Sequence, residues 1–137
     1  MNNMNKKLEL IYNTAFDLIE LRLNKKEGVV PFVVTLEQTE NKPTVGMYKQ
    51  SVGDTAKQLE IIRTNLRKKI ENGEITTLCL CYDVYISDPR TKKKTDAVLI
   101  ELADSSGESM VIYIPYNFSL EQIIQTPFQA PASQVYF

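Results

Sequence analysis

The chain has 137 residues, 43% of them hydrophobic and 24% charged, a balance that suits one globular domain and excludes global disorder. Its formal net charge of −1 supplies no overall field to draw it to nucleic acid or to an anionic membrane. It contains no histidine, which removes Ser-His-Asp and Cys-His catalysis, histidine-bound zinc and the usual acid–base group of neutral pH.

Residues 5–25 predict an amphipathic helix, with Leu8, Ile11, Tyr12, Ala15, Phe16, Leu18, Ile19 and Leu23 recurring at steps of three and four. Leu10 and Leu21 widen the stripe enough to meet a sheet on one side and a second subunit on the other, or to be wrapped by loops. Lys25, Lys26 and Gly28 supply the positive charge and the glycine expected at a helix end. Residues 29–38 read as a strand with Phe32, Val34 and Leu36 inward, and Pro31, which lacks an amide donor, places its start at an edge or just outside the ladder. The longest apolar run is Val29–Val34, against about 20 residues needed to cross a bilayer. Glu9, Asn13 and Asp17 follow Lys6 and Lys7 too closely for a signal-peptide core, so the expectation is a cytoplasmic protein.

Thr39–Thr44 suits a turn, Val45–Tyr48 a short return strand and Gln50–Gly53 a connector. Asp54 is the expected cap of a second helix running to about Asn72, with Ala56, Leu59, Ile62, Leu66 and Ile70 as its buried stripe. Arg67, Lys68 and Lys69 compensate the dipole of its last turn, and Asn72-Gly73 ends it.

Glu74–Tyr116 predicts three consecutive strands. Leu78, Leu80, Tyr82, Val84 and Ile86 alternate in the first; Val98, Ile100 and Leu102 in the second; Met110, Ile112 and Ile114 in the third. Ser87–Thr95 is a long basic hairpin loop and Asp104–Gly107 a tight turn. Ser119 and Gln122 resemble a capping box for a short helix that Pro127 stops, leaving an extended tail in which Val135, Tyr136 and Phe137 can dock. The fold class read from this order is α+β: a single domain over 1–137, with residues 1–4 frayed. An antiparallel sheet of about five strands carries two main helices on one face.

That outline is similar to the roadblock and profilin-like domains. The runs GEITTLCLCYDV (Gly73–Val84), KTDAVLIEL (Lys94–Leu102) and YIPY (Tyr113–Tyr116) resemble a set of small bacterial proteins generally labelled hypothetical. The resemblance covers most of the chain after Phe32 and implies no activity, ligand or catalytic residue.

The chemistry on offer is narrow. No G-x-x-x-x-G-K, G-x-G-x-x-G, Ser-x-x-Lys or Asp-rich calcium loop occurs. Cys79 and Cys81, spaced C-x-C on one strand, share a face; a disulfide between them would strain the backbone, and two thiols cannot hold a four-ligand metal. They read as small half-buried thiols, with a redox or intersubunit metal role as the alternative. The expectation is therefore no catalytic, cofactor or metal residue, although the assigned phases would bring Asp83 and Glu101 together across the hairpin as a carboxylate pair.

The sheet face opposite the core would carry Val33, Cys79, Cys81, Tyr85, Leu99, Val111 and Tyr113, too apolar to be freely solvated. Either a second subunit or the C-terminal tail covers it. Arg90, Lys92, Lys93 and Lys94 form a concentrated basic loop, either a solvated turn or a docking loop for an acidic partner. These features predict a non-catalytic, self-associating interaction module, a homodimer engaging neither nucleic acid nor membrane. The alternatives are an immunity-type or regulatory protein binding one specific partner, and a small-molecule binder with a pocket lined by Tyr12, Phe16 and Tyr82.

Overall fold

The computed structural model describes residues 4–38, 41–48 and 55–137; the expected cap Asp54 and the Gln50–Gly53 connector lie outside them. Helix α1 (Lys6–Asn24) precedes strands β1 (Phe32–Glu37) and β2 (Thr44–Met47), then helix α2 (Thr55–Glu71). Strands β3 (Ile75–Ser87), β4 (Lys94–Asp104), β5 (Ser109–Tyr116) and β6 (Phe128–Ala130) complete the order. Asn5 starts α1 by accepting a hydrogen bond from the Leu8 amide at 2.9 Å. Gly73, at φ 70°, ends α2 in the left-handed conformation that glycine adopts without strain.

The strands form one antiparallel sheet in the order β2-β1-β3-β4-β5-β6. Six strands are present where about five were expected. The additional strand, β6, lies in the stretch read as an extended tail. The short helix expected after Ser119 does not form. Instead the Asn117 amide donates to the Ile123 carbonyl at 2.9 Å and the Gln125 amide to that of Pro115 at 2.9 Å, so this segment prolongs the edge of β5.

Helix placement is the larger correction. The two helices cover opposite faces. Leu8, Ile11, Ala15, Ile19 and Leu23 of α1 pack on Phe32, Val34, Leu36, Cys79, Cys81, Val98, Ile100, Leu102, Ile112 and Ile114. Leu59, Ile62 and Leu66 of α2 pack on Val33, Leu78, Leu80, Tyr82 and Ala103, joined by Tyr136 from the tail. The topology explains the split. Both β2 and β3 run antiparallel to β1, so they are parallel to each other, and α2 is the crossover between them. A crossover helix must lie against one face of its sheet, and α1 closes the other.

The phase of β3 follows from its hairpin. Ser87 pairs with Lys94, and the register then sets Leu80 opposite Glu101, Cys81 opposite Ile100 and Tyr82 opposite Leu99. The cysteines, not the leucines, therefore share a face with Val98, Ile100 and Leu102. In β5, Ile100 opposes Ile112 and Leu102 opposes Met110, as the alternation predicts.

Candidate interaction surfaces

The most concentrated polar constellation lies under α2. Glu101, 3% exposed, accepts from Arg63 Nη2 at 2.5 Å and from the Tyr82 hydroxyl at 2.8 Å. Tyr136 donates to its other oxygen, and Arg63 Nε approaches the same oxygen at 3.4 Å. The guanidinium also lies 5.9 Å from the centre of the Tyr82 ring, and Arg67 lies 5.1 Å from that of Tyr136. Burial, followed by the nearby Glu101 charge, raises the Tyr82 and Tyr136 hydroxyls well above the usual tyrosine range. Every acceptor direction of Glu101 is filled and the group is sealed from solvent. The arrangement fastens α2 and the chain's end to the sheet; it presents no free base.

A second carboxylate, Asp83, lies on the opposite face. It accepts from the Val29 amide at 2.6 Å and from the Tyr116 hydroxyl at 2.6 Å, and burial raises its pKa above the ordinary aspartate value despite both donors. Glu101 pairs with Leu80 and Asp83 with Val98, so the two carboxylates project from opposite faces and cannot act as a pair. The pocket imagined between Tyr12, Phe16 and Tyr82 fails for the same reason: Tyr12 and Phe16 pack on the α1 side, Tyr82 on the α2 side.

The seven residues expected on one apolar face are divided by the sheet. Cys79 and Cys81 are fully buried beneath α1, their sulfurs 3.8 Å apart, and burial holds the Cys81 thiol well above its usual range. Tyr85, 66% exposed, lies at the far end of that same face. Val33 and Val111 are buried on the α2 face, where Leu99 and Tyr113 remain half-buried.

What stays partly open is therefore a narrower stripe on the α2 face, beyond the helix. It consists of Val84, Ile86, Leu99, Tyr113 and Phe128, all half-buried. Leu99 opposes Tyr113, and the Tyr113 and Phe128 rings stack at 5.1 Å with an 18° interplanar angle. Arg90 caps the stripe, its guanidinium 4.6 Å from the Phe128 ring centre. Phe128 was not anticipated; its place beside Tyr113 depends on β6, which carries too few residues for an alternation signal.

The basic residues Arg90, Lys92, Lys93 and Lys94 follow one another through the β3–β4 hairpin, but Arg90 is not free. It is paired with Asp88 at 3.1 Å, which holds the Asp88 carboxyl below its usual range, and donates to the Thr126 carbonyl at 2.8 Å. Lys92, Lys93 and Lys94 are exposed and take part in no ion pair among the described residues. Beside them a concavity of about 640 Å³ opens between the hairpin and residues 117–126. Leu120 and Gln125, which line its other wall, gave no signal in the sequence because their approach to the hairpin is long-range.

No family model, curated protein or solved structure matches this chain. Among the described residues, no group of three or more cysteine or carboxylate side chains could hold a metal ion, and no helix is long and apolar enough to cross a membrane.

Proposed function

We propose that the protein is a non-catalytic interaction module that pairs with a second copy of itself through the half-open stripe on the α2 face. The observation that carries this reading is the asymmetry of the sheet. On one face α1 covers every inward apolar side chain up to Tyr85 at its far end, whereas the other leaves Val84, Ile86, Leu99, Tyr113 and Phe128 adjacent and half-buried. The five side chains carry no charge and Arg90 at the end of the stripe is paired with Asp88, so a twofold-related copy is complementary to it without like-charge conflict. Aromatic and branched aliphatic side chains on a rigid sheet also lose little conformational freedom on association.

Light scattering at about 50 μM tests it, a concentration well above the dissociation constants of specific dimers. The expected mass is twice the 15.7 kDa of one chain, with Leu99→Asp and Tyr113→Asp each returning the monomer. A monomeric wild type, or a dimer indifferent to both substitutions in folded protein, overturns the reading.

A further inference from the structure

We propose that the concavity between the β3–β4 hairpin and residues 117–126 is a preformed docking site for an acidic, extended segment of a partner protein. Its charge is unbalanced. Asp88 neutralises Arg90 at 3.1 Å, leaving Lys93 and Lys94 on the wall and Lys92 on the adjoining turn without a carboxylate partner among the described residues. In a chain of net charge −1, three adjacent unpaired ammonium groups form a local positive field that an acidic segment would complement.

Both walls are held before any ligand arrives. In the hairpin, the Asp88 amide donates to the Lys93 carbonyl at 2.9 Å and the Lys92 amide to the Asp88 carbonyl at 2.8 Å. In the opposite wall, Gln125 Nε2 donates to the Gln122 carbonyl at 2.6 Å. Arg90 stitches the two together through the Thr126 carbonyl. Binding therefore pays for ordering the ligand and the lysine side chains but not for assembling the cup. Lys92 itself sits at φ 63°, a left-handed conformation that glycine or asparagine adopts more readily. A strained residue kept at a loop tip is a recurrent property of binding sites.

The lining selects among anions. Leu120, 49% exposed, and Pro115 give the cup an apolar side beside its lysines. Among the described residues no aromatic ring lines it to stack a base, as single-stranded nucleic acid requires. The Arg90 guanidinium in its lining is already committed to Asp88 and Thr126, so the bidentate fork that favours phosphate is spent. A chain of carboxylates interleaved with an apolar side chain matches both walls.

The probe is a fluorescein-labelled nonapeptide of three Glu-Glu-Leu repeats, followed by anisotropy against the 137-residue protein. Saturable binding is expected, weakening steeply as salt rises from about 50 to 200 mM, as exposed charge pairs require. Lys93→Glu/Lys94→Glu should weaken it at least about tenfold, and Leu120→Asp measurably, with melting temperature and oligomeric mass unchanged. Lys92→Gly, which relieves the strained φ while removing one charge, guards against misfolding as the cause and should weaken binding in well-folded protein. No saturable binding to 1 mM peptide (a threshold of about 4 kcal/mol), binding that survives the double reversal, or equal affinity for a labelled oligothymidylate overturns the assignment. The cup and the apolar stripe meet at Arg90, but Leu99 is not part of the cup's lining, so loss of self-association in Leu99→Asp leaves the peptide result intact.

Discussion

Replacing Arg63 by methionine removes the one cation that pairs, among the described residues, with a carboxylate that is 3% exposed, while keeping a side chain of similar length over Tyr82. Removing one partner of a buried pair costs about 3–5 kcal/mol, because the remaining charge keeps its desolvation penalty. Here Tyr82 and Tyr136 still donate to Glu101, which places the expected loss near the lower bound, about 3 kcal/mol. That is a large share of the ~5–15 kcal/mol that separates most folded domains from their unfolded chains. Urea unfolding followed by far-UV circular dichroism measures it directly. The companion variant Arg63→Met/Glu101→Gln removes both charges and should recover about 2 kcal/mol of the loss, since a neutral amide can still meet both hydroxyls. A single-variant cost below about 1 kcal/mol, or a double variant no more stable than Arg63→Met, would show that Glu101 is solvated in practice and refute the account.

Three further outcomes follow from the same structure. Both cysteines should resist a thiol reagent in the native state and react only as the chain unfolds; fast reaction would mean that α1 does not cover them. Tyr82, Tyr116 and Tyr136 have raised pKa values, so the stability they contribute is complete below the unfolded value of about 10 and is lost as pH rises beyond it. An ultraviolet titration should accordingly show these hydroxyls ionising together with unfolding rather than before it. Asp83 has a raised pKa as well, so wild type should lose stability relative to Asp83→Asn as pH climbs from below 4 through the carboxylate range; a pH-independent difference in urea midpoint contradicts this.

The sequence disclosed the elements more fully than their arrangement. Period-two alternation located β1, β3, β4 and β5, and both main helices fell within a few residues of their expected bounds. What it could not disclose was the parity between β3 and β4. Strand β3 is apolar on both sides, with Leu78, Leu80 and Tyr82 alternating with Cys79 and Cys81, so either row fits against Ile100. The choice is made by the hairpin, where residues 88–93 separate the paired Ser87 and Lys94. The opposite parity places the cysteines at an interface and Asp83 beside Glu101, whereas the expectation of both helices on one face overlooked the crossover from β2 to β3. For the surfaces, the hairpin lysines were legible as a local run. The wall that faces them was not, because no short-range pattern links Leu120 or Gln125 to residue 90.

A central strand greasy on both sides has an ambiguity to overcome while the chain is folding. A one-residue slip of β3 against β4 would still bury an aliphatic row on each side, and oiliness alone would barely penalise it. The groups that object are the polar ones: a slipped Glu101 would point away from Arg63, and a slipped Asp83 would desert the Val29 amide. These carboxylates therefore act as an alignment key, and their value lies in the wrong structures they forbid. Exchanging the Arg63–Glu101 pair for leucines should yield a chain that still collapses but no longer settles on one alignment, visible as doubled or broadened amide resonances from β3 and β4.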